Sequence, residues 1–75
     1  MPKLRRISGQ ETIRALERLG FKQIRQKGSH VILKKRTSQG NIGCVVPLHS
    51  ELAIGTLRGI IRQARVTEEQ FLESL

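Results

Sequence analysis

His30 is one of only two histidines in a chain of 75 residues. It closes the run Lys27-Gly28-Ser29-His30 and sits among cations. Arg25 and Lys27 come before it; Lys34, Lys35 and Arg36 come after it. An imidazole surrounded by fixed positive charge has the parts needed to cut RNA without a metal. RNA carries its own nucleophile, the 2′-hydroxyl. Cleavage then needs a base to take that proton, an acid for the leaving oxygen and cations for the phosphate. Histidine is the side chain whose ordinary titration lies nearest neutral pH, and general acid–base help contributes about 10²–10⁴-fold. His30 is the expected base and His49 the candidate acid. Lys34 or Arg36 would stabilise the phosphate. Arg25, Lys27, Gly28 and Ser29 complete the expected RNA-binding set, with Gly28 and Ser29 read chiefly as turn residues.

The bulk composition agrees with a polyanionic partner. Fourteen Lys and Arg stand against six acids, a net charge of +8, which favours nucleic acid or an acidic protein. All six acids are Glu, and three of them, Glu68, Glu69 and Glu73, lie in the last eight residues. A two-metal nuclease needs several converging carboxylates, so neither a metal nor any other cofactor is expected. A single cysteine, Cys44, excludes an internal disulfide and a cysteine-rich metal site. No apolar run approaches the roughly 20 residues of a membrane span and no signal-peptide core follows the N-terminus. The expected location is the cytoplasm, without membrane contact. With only two aromatic residues, Phe21 and Phe71, both read as core, base stacking is not the expected mode of recognition; phosphate and shape are.

The elements that must position the histidine follow from local signals. The length suits one small domain, residues 1–75, with a thin core. Residues 1–7 read as a loose basic lead-in. Ser8 with Glu11 is a capping box, Ile13, Leu16 and Leu19 recur at helical spacing, and Gly20 supplies a stop, giving a helix over about 9–19. Residues 21–27 read as a first strand centred on apolar Ile24, 30–36 as a second and 42–48 as a third, ended by Pro47. Residues 37–41 form the turn between the last two. Connections this short force an antiparallel meander. Ile54, Leu57, Ile60, Ile61 and Ala64 form the apolar stripe of a second helix over about 54–64, with Arg58, Arg62 and Arg65 off it. Gly59 within that helix suggests close packing against a neighbour. Thr67 with Gln70 is a second capping box, opening a short helix through Phe71 and Leu72. The expected fold class is therefore α+β in two layers: helix, three-stranded antiparallel sheet, helix, then a short C-terminal helix. Double-stranded-RNA-binding domains share that order.

Alternation assigns the faces. Val31 and Leu33 share one side of the second strand; His30, Ile32, Lys34 and Arg36 share the other. In the third strand Ile42, Cys44, Val46 and Leu48 form the apolar set, opposite Asn41, Gly43, Val45 and His49. Cys44 thus reads as core. With the apolar sets under the helices, both histidines point to the open face. A turn at Gln39-Gly40 puts His30 opposite His49. A turn at Gly40-Asn41 puts it opposite Glu51 and diagonal to His49, roughly 7–8 Å away.

A set of motifs in one order, Gly20-Phe21, Arg25-Gln26-Lys27-Gly28-Ser29-His30, Val46-Pro47-Leu48-His49, the run Gly55 to Ala64, and Glu68-Glu69-Gln70-Phe71, resembles the HicA (YcfA-like) mRNA interferase toxins over nearly the whole chain. The resemblance implies a double-stranded-RNA-binding-like fold and an endoribonuclease that cleaves mRNA and arrests translation. It also implies a HicB-type antitoxin that covers the active site and provides most of the oligomerisation. The histidine of its Gly-Ser-His motif, the catalytic one, is His30 here; the acid role of His49 comes from register alone. Arg65 departs from the pattern, which has a glycine closing the second helix. The competing reading is an RNA- or DNA-binding module without catalysis, which the same charge and element order would serve. A weaker one is a basic surface that only docks an acidic protein.

Overall fold

The computed structural model describes residues 3–75; the first two residues of the expected lead-in lie outside them. The elements are α1 (Gly9–Arg18), β1 (Lys22–Lys27), β2 (His30–Thr37), β3 (Gly40–Pro47), α2 (Ile54–Gln63) and α3 (Glu68–Glu73). The strands form one antiparallel sheet in the order β1-β2-β3. Ile13, Ala15 and Leu16 of α1 and Leu57, Ile60 and Ile61 of α2 pack with Val31, Leu33, Cys44 and Val46 in a single core. Both helices thus cover one side of the sheet, and the other side is open. This is the two-layer α+β arrangement of double-stranded-RNA-binding domains, with a short helix appended.

Local chemistry sets most of the boundaries. The Ser8 hydroxyl accepts from the Glu11 amide at 3.0 Å while the Glu11 carboxylate accepts from the Ser8 amide at 3.2 Å. Thr67 and Gln70 repeat the arrangement at α3. Each box satisfies backbone donors that the first helical turn leaves unpaired. At the other end of α1, Gly20 takes φ +100°. Its amide donates to the Glu17 carbonyl and the Phe21 amide to the Leu16 carbonyl, a Schellman closure. α2 closes the same way, with bonds from Arg65 to Arg62 and from Val66 to Ile61. There the left-handed position is held by Arg65 at φ 57°. The residue that departs from the family pattern thus occupies a conformation glycine adopts without strain.

Four expectations need correction. Ile7 is buried, Leu4 packs against the core, and the Leu52 amide donates to the Ile7 carbonyl, so the lead-in is docked from residue 4 onward, not loose. Ile24 is not the apolar centre of its strand. The ladder pairs Gln23 with Leu33 and Arg25 with Ile32, leaving Ile24 as an unpaired bulge residue, 51% exposed. A bulge inserts one residue and shifts the alternation. Gly59 has open space where a Cβ would sit, so no neighbour presses on it. The close approach is at Gly9, where a Cβ would overlap the Pro47 carbonyl oxygen.

The fourth correction is the register of the second hairpin. Thr37 pairs with Gly40, so the turn is Ser38-Gln39, earlier in the chain than either expected position. The Thr37 hydroxyl receives the Gln39 amide and donates to the Gly40 carbonyl, and Gly40 takes φ +119°. The glycine that marked the turn is the residue that leaves it.

Candidate nuclease site on the open sheet face

His30 opens β2, immediately after the two-residue turn Gly28-Ser29. Gly28 has φ 60° and Ser29 does not share the positive sign, the pattern of a II′ turn with glycine first. The turn is pinned on both sides. The Gln26 side-chain amide donates to the Gly28 carbonyl at 3.0 Å, and the Leu48 amide donates to the Ser29 carbonyl at 2.6 Å. Val31 and Leu33 are buried, so His30, Ile32, Lys34 and Arg36 face away from the helices; His30 is exposed.

The ladder gives the neighbours. His30 stands opposite Lys27 of β1 and Pro47 of β3. The next row of that face is Arg25, Ile32 and Val45, and the one beyond it Lys22, Lys34 and Gly43. Arg36 stands across from Asn41. Lys27, Arg25, Lys34 and Arg36 are all exposed. Among the described residues the ion pairs are Arg6–Glu51 and Arg58–Glu68, so no carboxylate compensates the cations of this face. Lys22 is a member of the face that alternation alone does not find. A strict period of two along 22–27 puts it under the helices; the bulge at Ile24 turns it outward, opposite Lys34.

His49 does not stand opposite His30. β3 ends at Pro47, and the chain then bends along the start of α1, where the Gly9 amide donates to the His49 carbonyl at 2.9 Å. The exposed His49 borders a shallow hollow with Ser8, Gln10, Leu48 and Ser50. Glu51, the other partner considered, is bound to Arg6.

Cys44 is buried on the inner face, and burial pushes its thiol from 9.0 up to about 11. A thiol so held is protonated at neutral pH and is no nucleophile. Among the described residues no three His, Cys, Asp or Glu side chains converge closely enough to bind a metal ion. No helix is long and apolar enough to cross a membrane.

Fold and site together define a double-stranded-RNA-binding-like domain whose uncovered sheet carries one histidine within uncompensated positive charge. Comparison with family models assigns its lineage: the model described as HicA toxin of bacterial toxin-antitoxin matches residues 9–66, from the first residue of α1 to beyond the end of α2. The chain belongs to the HicA toxin family. Membership of a toxin–antitoxin family implies a cognate antitoxin. No curated protein matches the chain.

Proposed function

We propose that the chain, acting as one domain, is an endoribonuclease that cleaves mRNA, with His30 as general base. The observation that supports it best is the row Lys27–His30–Pro47 on the open face, with Arg25, Lys34, Arg36 and Lys22 on the rows beyond. An RNA strand lying on this face meets cations along its phosphates and one exposed imidazole at the turn end. His30 takes the 2′-hydroxyl proton as the oxygen attacks the adjacent phosphorus. The bond to the 5′-oxygen breaks, leaving a 2′,3′-cyclic phosphate on one fragment and a 5′-hydroxyl on the other. The departing oxygen needs a proton, and His49, two residues past Pro47 at the same end of the sheet, is the candidate acid. Lys27, directly opposite His30, offsets the charge that builds on the phosphate, and Lys34, two rows along, meets a neighbouring phosphate. Every catalytic part in this reading is a side chain of the chain itself.

The same face supports a reading of the partner. Val45, 39% exposed, stands opposite Ile32, and the bulge residue Ile24, 51% exposed, precedes Ile32's other partner, Arg25, so exposed apolar surface lies beside the cations. A HicB-type antitoxin seated there would bury apolar surface and withdraw His30 from RNA in one contact. Oligomers would then form mainly through the antitoxin. The substrate places the activity in the cytoplasm.

The test is cleavage of a defined transcript by purified wild type and His30→Ala, with chelator present, alongside growth arrest on expression. Loss of cleavage in the variant with RNA affinity retained supports the reading. Equal cleavage by the variant overturns it. Binding by both with cleavage by neither makes the chain a non-catalytic RNA-binding module, which the same charged face would serve.

A further inference from the structure

On the other side of the hairpin from His30 runs a groove between α1 and β1. Gln10, Arg14 and Glu17 of α1 form one wall; Gln23 and Gln26 of β1 form the other. Ile13, Val31 and Leu48 make an apolar floor, and the space is ≈ 270 Å³. Past Gln10 and Leu48, which border both, it meets the hollow beside His49. The groove lies next to the proposed site. Val31 on its floor directly follows His30, and Gln26 on its wall is the cross-strand partner of Val31 and holds the Gly28 carbonyl. Gly28 leaves open space where a Cβ would stand, so this residue sets no side chain between the two sides of the turn.

Its chemistry is unlike that of the open face. Arg14 and Glu17 bring opposite charges to the same wall, and Gln23 Nε2 lies 3.4 Å from Glu17 Oε2. A carboxylate on the wall disfavours a phosphate. What remains is a set of side-chain amides, each able to donate and accept, above an apolar floor. A flat ring with a hydrogen-bonding edge matches this, and glutamine reads such edges, best of all an adenine. Sequence-specific RNA recognition targets unstacked single-stranded bases, and with both phenylalanines buried the amides of this groove offer hydrogen bonds to a base edge.

We propose that the groove between α1 and β1 is a subsite for one nucleobase of the bound RNA strand, adjacent to the scissile phosphate, with Gln10 and Gln23 as its specificity-determining residues. The proposal rests on the ribonuclease reading for the identity of the strand.

The experiment uses the full chain and short single-stranded RNAs that differ at one base beside the cleaved bond. A 2′-deoxy substitution at that bond lets binding be read without cleavage. Gln10→Ala and Gln23→Leu alter exposed side chains outside the core; Gln26 is spared because it pins the turn. The expected result is an affinity order among the four bases that collapses in both variants. The preferred base should lose about tenfold, an abasic RNA should be unaffected, and cleavage should lose in KM more than in kcat. An unchanged base order in both variants, with His30→Ala still abolishing cleavage, overturns the subsite and leaves the ribonuclease reading standing. A base order that collapses in a protein that binds but never cuts overturns the ribonuclease reading and keeps the subsite. Loss of antitoxin affinity alone, with the base order intact, makes the groove a protein-docking surface and overturns the proposal.

Discussion

Lys22 and Lys34 face each other across the first strand pair on the open side of the sheet, with no carboxylate paired to either among the described residues. Like charges directly opposite destabilise a sheet by a few tenths to about 1 kcal/mol. Binding a polyanion is the circumstance in which such a pair becomes favourable. Lys22→Gln and Lys34→Gln should therefore stabilise the free protein slightly while weakening RNA binding. Withdrawing one cation from one phosphate should flatten the plot of log affinity against log salt by roughly 0.7 for a single strand. Denaturation and salt titration of the same variants check the two signs. If both lysines can be replaced with no change in salt slope, the face does not carry the RNA backbone.

His30→Ala should reduce RNA cleavage by about 10²–10⁴-fold and leave the thermal midpoint unchanged, because the residue is exposed and its side chain holds no other element in place. His49→Gln should cost less, because the chain leaves the ladder at Pro47 before reaching it. A variant that cleaves as fast as wild type assigns the leaving-group proton to water. Initial cleavage rates for the three proteins give the answer.

Arg65→Gly should stabilise the protein. An L-residue in the left-handed region costs roughly 1–2 kcal/mol, less the entropy glycine loses on folding, for a net gain of about 1 kcal/mol. In a domain of this size that raises the midpoint by about 4–8 °C. Gly20→Ala, at the matching position after α1, should move it the other way. There φ is +100° and the added methyl would meet the Lys35 side chain, 3.2 Å from its Cε. Calorimetry of the pair tests both closures at once.

Gly9→Ala should be among the most damaging small substitutions. Its methyl would overlap the backbone carbonyl of Pro47, which cannot rotate away as a side chain would. Forced repacking of this kind costs typically about 1–3 kcal/mol. Pro47 is also the β3 neighbour of His30, so the site should loosen with the fold. Gly59→Ala, in open space within α2, should instead stabilise by up to about 1 kcal/mol through helix propensity. Chemical denaturation of the two variants beside wild type separates these opposite signs.

Cys44 gives a pH dependence with a definite sign. Its thiol titrates at about 11 in the folded chain against an ordinary 9.0. Below pH 9 both states hold the proton and the contribution is constant. Between 9 and 11 the unfolded chain releases it while the folded chain retains it, so stability falls as pH rises, and the loss is complete above 11. Cys44→Val should remove this component, seen as a shallower decline relative to wild type over pH 9–11. A disulfide reagent at neutral pH should label Cys44 only on unfolding.

The family motifs and the local signals led to the same fold. The two capping boxes, the apolar stripe of α2 and the glycine after α1 act over three or four residues, so their partners are close in sequence and readable there. Val31, Leu33, Cys44 and Val46 likewise declare the inner face of β2 and β3, because both strands keep a strict period of two. His30 is placed outward by that period alone. Ile24 misled because an isoleucine in a short strand is read as core, and nothing adjacent announces the insertion.

The chain's own order of residues thus determined the helix ends, the strand count and the side of the sheet on which His30 stands, since each depends on short-range periodicity and capping. Tertiary pairing alone decided which residue of β1 would be extruded and where the second hairpin would turn. Those two choices depend on the summed fit of one strand against another, which no single segment encodes. Through them Lys22 joins the cationic face, Gln23 faces the α1 groove, and His49 parts from the ladder at Pro47 to follow the start of the first helix.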